Sequence, residues 1–221
     1  MYFILEFSVR KISFELAKTG ATNNFLKEYK WEFRKDIVIL ISPGYWLARY
    51  YKDKIKSKKD NLPCHLKKFI KVNNKINLCL SLNLFAILSL LFYLNAIAFF
   101  QSLIIWRFIS RSFEIICAFS NDVINGHEQQ KSSLTKFDRV KLALLSYVEI
   151  FFYSACFYLV TVKDIEPIKA FLISLGVGTF TNVNSDLFKC NEILALFTYI
   201  QVFTTLSLVV LSLAIYVSRP K

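Results

Sequence analysis

The apolar positions of this chain fall in blocks, without the stripes of a soluble helix or the alternation of a half-buried strand. Three blocks stand out: Ile76–Trp106, Leu142–Val162 and Ile193–Val217. Each reaches or exceeds the roughly 20 apolar residues that a helix needs to cross a bilayer. The first holds about 31 residues, which at roughly 1.5 Å per residue makes a helix near 46 Å long. That is too long for one upright span and short for two. A tight hairpin near Asn95 gives two crossings, the second helix running on through WRFISRSFEIICAF; one tilted span is the alternative.

Between the second and third blocks lies IKAFLISLGVGTFTNVNSDLF, residues 168–188. Its opening IKAFLISLGVGTF predicts a helix too short to cross but long enough to enter and stop. Pro167 suits the first turn, and Asp164 and Glu166 sit near its positive end. The pattern then turns polar at Thr179, Thr181, Asn182, Asn184, Ser185 and Asp186, where the membrane should be. Backbone outside a helix is not tolerated in lipid, so such a strip must line a watery path or be buried in protein.

Charge decides the sidedness. Residues 1–75 hold 17 Lys and Arg against 7 Asp and Glu, most of the formal +12 of the whole chain. The densest run, YYKDKIKSKKDNLPCHLKKFIKVNNK, directly precedes the first block, where the positive-inside rule and anionic lipid both act. No nucleic-acid motif accompanies it. Residues 1–75 therefore read as a basic cytosolic region apposed to the membrane, and Pro43-Gly44 breaks its longest apolar stretch. The connector at 107–141, with Arg107, Arg111, Lys131, Lys136, Arg139 and Lys141, also reads as cytoplasmic. This places both termini inside and predicts four spans in the cell (inner) membrane: a hairpin and connector helix over 76–125, then a pore-like unit over 142–217.

The chain is 55% hydrophobic, with 22 Phe and a mean hydropathy of +0.41. The expected fold class is an all-α integral membrane protein, a helical bundle with a re-entrant helix and the lipid bilayer as its first partner. No signal peptide is convincing at the start. The five cysteines are scattered and read as reduced thiols; His65 and His127 are isolated, so neither metal nor cofactor is expected. No catalytic set occurs, and an enzyme is not expected.

Span, external turn, short re-entrant helix, polar strip, span: over residues 142–217 this order resembles the pore module of potassium channels. It includes the Leu-Ser-Tyr-x-Glu run at 145–149 and the closing LSLAIYVS. More widely, it is similar to prokaryotic ion-channel-family proteins with one pore loop per chain. The family's T-x-G-Y-G-D falls on Thr181-Asn182-Val183-Asn184-Ser185-Asp186. Thr181 and Asp186 match; Val183 and Ser185 replace both glycines, and Asn184 stands where an aromatic is expected. A carbonyl ladder wants glycines in left-handed angles that a β-branched Val resists.

The resemblance implies a membrane cation channel, four identical chains around an axis, and monovalent cations passing Thr181, Asn182, Val183, Asn184, Ser185 and Asp186. The missing glycines leave its selectivity open. Two alternatives stand beside it: a non-conducting pore-fold protein serving as a structural or interaction subunit, and an ordinary external loop.

A few further residues have two readings each. Glu149 is either buried and paired with Arg107 or Arg111, or reaches water at the cytoplasmic interface. Arg107 and Arg111, four apart on one helix face, either belong to a buried charge set or snorkel to headgroups. Gln201, Thr204, Thr205 and Ser207 line a pore or join helices. Tyr45, Trp46, Tyr50 and Tyr51 read as interfacial anchors.

Overall fold

The computed structural model describes residues 2–18, 42–56, 62–94, 96–124, 134–181 and 192–218. Among them are seven α-helices, one 3₁₀ turn and no strand. They are α1 (Tyr2–Lys18), α2 (Pro43–Lys56), α3 (Leu62–Tyr93), α4 (Gln101–Ile124), α5 (Lys136–Thr161), α6 (Pro167–Gly178) and α7 (Glu192–Ser218); the 3₁₀ turn Ile97–Phe100 leads into α4. Three are long and apolar enough to cross a membrane: α3 from Cys64, α5, and α7 to Val217. The described residues thus form helices and connecting turns, compatible with a helical membrane protein.

The sequence dictates where these helices begin and end. Thr135 caps α5 through a reciprocal pair of hydrogen bonds with Asp138, which satisfies two otherwise orphaned N–H groups. Pro167 opens α6 at a position that needs no N–H donor. Cross-helix contacts fix the directions. Lys67 and Lys71 of α3 reach Asp138 of α5 at 2.9 and 2.6 Å, and Phe85 meets Phe152 farther along. These two helices therefore run parallel. The chain reverses after Tyr93, so Asn77 and Asn74 of α3 face Arg107 and Arg111 of α4 in antiparallel order. α7 is antiparallel to α5, with Thr198 beside Tyr158 and Tyr216 beside Phe137.

α5 sits at the centre. One face meets α3 and α4, another meets α6 and α7. Ile150, Tyr153, Ala155 and Cys156 are fully buried there, and Phe157 stacks on Phe197 of α7 at 4.2 Å. A second, smaller apolar cluster joins Phe14 of α1, Tyr51 and Ile55 of α2 and Phe69 of α3. Tyr51, read as an interfacial anchor, is buried in this cluster.

Over its first turns α1 has the opposite polarity to an ordinary surface helix, while farther along Phe14 and Ala17 are buried and Lys11 and Glu15 exposed. Glu6, Arg10 and Ser13 face inward and are buried, while Phe3, Ile4, Phe7, Ile12 and Leu16 are exposed. The stretch expected to be a cytosolic region thus begins with a helix packed along α3.

Candidate functional site

Two features carry chemistry, and they lie on opposite faces of α5. The first is the short helix. α6 is 12 residues long, about 18 Å at 1.5 Å per residue. It runs antiparallel to α5: Ser174 donates to the Phe151 carbonyl at 2.7 Å, and the Gly178 carbonyl accepts from the Tyr147 hydroxyl at 2.9 Å. Its last turn therefore lies alongside the middle of α5. From the other side, the Gln201 amide of α7 donates to the Ser174 carbonyl at 2.8 Å and accepts from the Tyr158 hydroxyl at 3.0 Å. Gln201 thus joins three helices, the second of its two readings. Thr204 and Thr205 bond back to carbonyls of their own helix.

The fit at the end of α6 leaves no spare room. A Cβ on Gly178 would overlap the Phe151 ring and come within 3.1 Å of Gln201 Nε2. The helix then stops in a Schellman motif: Phe180 N–H bonds the Val177 carbonyl, and Thr181 N–H bonds that of Gly176 at 3.0 Å. Phe180 occupies the left-handed position with φ 60°, a place where glycine is ordinarily found. Thr181 is exposed, its hydroxyl 2.9 Å from that of Thr179. Asn182, Val183, Asn184, Ser185 and Asp186 lie outside the described residues.

The second feature is a buried ionic network. Arg111 grips Glu149 with Nε on Oε1 at 2.6 Å and Nη2 on Oε2 at 2.8 Å. Arg111 also pairs with Glu114 at 2.9 Å. Arg107 pairs with Glu6 of α1, donates to Asn77 of α3, and reaches the Tyr153 hydroxyl of α5 at 3.0 Å. Arg10 of α1 pairs with Glu114 and donates to Asn73. Asn74 donates to the Leu142 carbonyl at 2.9 Å and accepts from Ser146. Arg107 and Glu149 are 0% exposed and Arg111 4%, so neither arginine snorkels and Glu149 does not reach solvent.

Three carboxylates (Glu6, Glu114, Glu149) face three guanidiniums (Arg10, Arg107, Arg111), and the set is formally neutral. Neutrality is what a charge set in an apolar bundle requires, because an isolated buried charge costs several kcal/mol. A cavity of about 120 Å³ adjoins this network between α2, α3, α4 and α5. Lys52, Asp122 and Arg139 stand on its walls together with Asn73, Arg111 and Glu114. Phe69, Ile115, Phe119 and Leu142 make up much of the rest of the lining.

Sequence reasoning singled out Glu149, Arg107 and Arg111, and one of its readings paired Glu149 with an arginine, but it missed Glu6, Arg10, Glu114, Asn73, Asn77 and Tyr153. A signal for them was present. Glu6 and Arg10, Asn73 and Asn77, Arg107, Arg111 and Glu114, and Ser146, Glu149 and Tyr153 are all spaced three or four apart. That spacing puts each group on one helix face. Among the described residues no group of three His, Cys, Asp or Glu side chains is placed to hold a metal ion. No family model, no curated protein and no solved structure matches this chain.

Proposed function

We propose that the chain is a subunit of a cation channel, four copies surrounding one axis, with α6 entering the membrane as a re-entrant helix beside α5. The observation that supports this reading is where α6 stops and how it is anchored, its last turn lying alongside the middle of α5. An apolar helix too short to cross is fixed at its inner end by Tyr147 and Gln201, one from each flanking apolar helix. Helix C-termini carry partial negative charge, and an end stopped at mid-depth favours a cation nearby. Thr181 leads directly from that end into the polar strip, which in this reading lines the ion path down to Asp186. One chain cannot enclose a path, which is why several are needed.

In the same reading α4 makes the fourth crossing. Its charges keep it out of the set of helices apolar enough to span unaided, and pairing with α1 and α5 removes that objection. The basic start of α3, the start of α5 and the end of α7 then face the cytoplasmic side of the cell membrane.

The test is cation flux into proteoliposomes by purified protein, comparing wild type with Thr181→Val and Asp186→Asn. Flux that falls in either variant supports the channel. No flux above empty liposomes, from a folded tetramer across voltage and pH, overturns it in favour of a non-conducting pore-fold subunit.

A further inference from the structure

The polarity of the first turns of α1 is inverted, and this says what surrounds them. A helix on the surface of a soluble protein turns its charges to water and its apolar stripe to the core. In α1 Glu6 and Arg10 are 1% and 0% exposed, locked onto Arg107, Glu114 and Asn73, whereas Phe3, Ile4 and Phe7 are 56%, 71% and 45% exposed. Adjacent large apolar side chains on a free face mark a surface built for something other than water.

Its neighbours identify the occupant. Phe14 packs at the level of Phe69 and Tyr51, Arg10 at that of Asn73, and Glu6 is joined through Arg107 to Asn77. The helix therefore climbs along α3 from its Lys-rich start into its apolar stretch. Lys11 and Lys75 are exposed near the level of Arg10 and Asn73, and beyond them the outward face of α3 becomes apolar, with Leu82 and Ile87 exposed. The free face of α1 thus continues the apolar surface of a helix fit to span, and Lys11 stands one turn nearer the basic end. Long cationic side chains at that boundary reach back to anionic headgroups.

We infer that the first two turns of α1 are inserted in the bilayer, their Phe3–Ile4–Phe7 face in contact with lipid hydrocarbon next to the basic end of the bundle. Glu6 and Arg10 enter with their charges neutralised inside the bundle, which removes the usual penalty for such residues at that depth. The inference rests on the membrane reading of α3 and is independent of whether the chain conducts.

The experiment places one tryptophan on this face. In protein whose Trp31, Trp46 and Trp106 are replaced by Phe, Phe7→Trp is reconstituted into phosphatidylcholine–phosphatidylglycerol vesicles with or without dibromination at carbons 9 and 10 of the acyl chains. The expected result is loss of about half the emission or more in brominated lipid, a blue-shifted maximum, and little quenching by aqueous iodide. Quenching by iodide instead puts α1 in water and overturns the inference. Quenching by neither means that protein, such as a second copy, covers the face, and overturns it equally. Phe3→Trp provides the same reading if Phe7→Trp does not fold.

Discussion

Arg111 and Glu149 form a two-pronged ion pair between α4 and α5, at 2.6 and 2.8 Å, with both side chains sealed from solvent. The pair locks the two helices at one register, because a fork of two parallel bonds tolerates little sliding. Through Glu114 the same arginine is tied to Arg10, so α1, α4 and α5 share one charge set.

Removing one member leaves the other charged and buried. Arg111→Met is expected to cost about 3–5 kcal/mol, and Glu149→Leu a similar amount. The double variant should recover most of either loss, since two apolar side chains replace a neutral pair. Thermal unfolding of the detergent-solubilised variants checks this; additive losses in the double variant would refute the coupling.

Gly178 is required by contact with α5, at an ordinary helical backbone angle. Gly178→Ala puts a methyl group into the Phe151 ring and should lower stability by about 1–3 kcal/mol. Trimming the ring with Phe151→Leu should restore part of that loss. A thermal midpoint for Gly178→Ala equal to wild type would mean that α6 does not press on α5 as described.

Phe180 has the opposite expectation. Its left-handed backbone costs an L-residue about 1–2 kcal/mol that glycine avoids. Phe180→Gly should therefore hold or raise the unfolding midpoint and slow amide exchange in the last turn of α6, whereas Phe180→Ala should give no such gain.

Gly44 lies under the Glu6 carboxylate, where an added Cβ would stand 2.8 Å from Oε2. Glu6 cannot swing away freely, because Arg107 holds its other oxygen. Gly44→Ala should loosen the seat of α1, read as faster hydrogen exchange over Tyr2–Lys18 with α5 unchanged. Uniform exchange rates in both helices would show that α2 does not support that seat.

The helices of the bundle were legible because each is a local matter. Block length predicted three helices long and apolar enough to cross, Pro167 and the short apolar run predicted α6, and the first block divides between α3 and α4. α3 begins earlier than its apolar block because lysines and asparagines propagate a helix adequately when their heads find water or a partner. The role of α1 was not legible. A count of basic residues over 1–75 treats Arg10 as an exposed charge, and only its position against Glu114 makes it a buried one.

The sequence by itself determined the helical class of the described residues, the apolar blocks fit to cross a bilayer and the short helix between the last two, because hydrophobic length and helix termini depend on neighbours a few residues away. The tertiary structure alone decided which charges are paired. Glu6 lies 101 residues from Arg107, and Arg10 lies 104 from Glu114. Whether such groups meet depends on helix register and direction, and burial then turns each meeting from a marginal surface pair into a condition for folding.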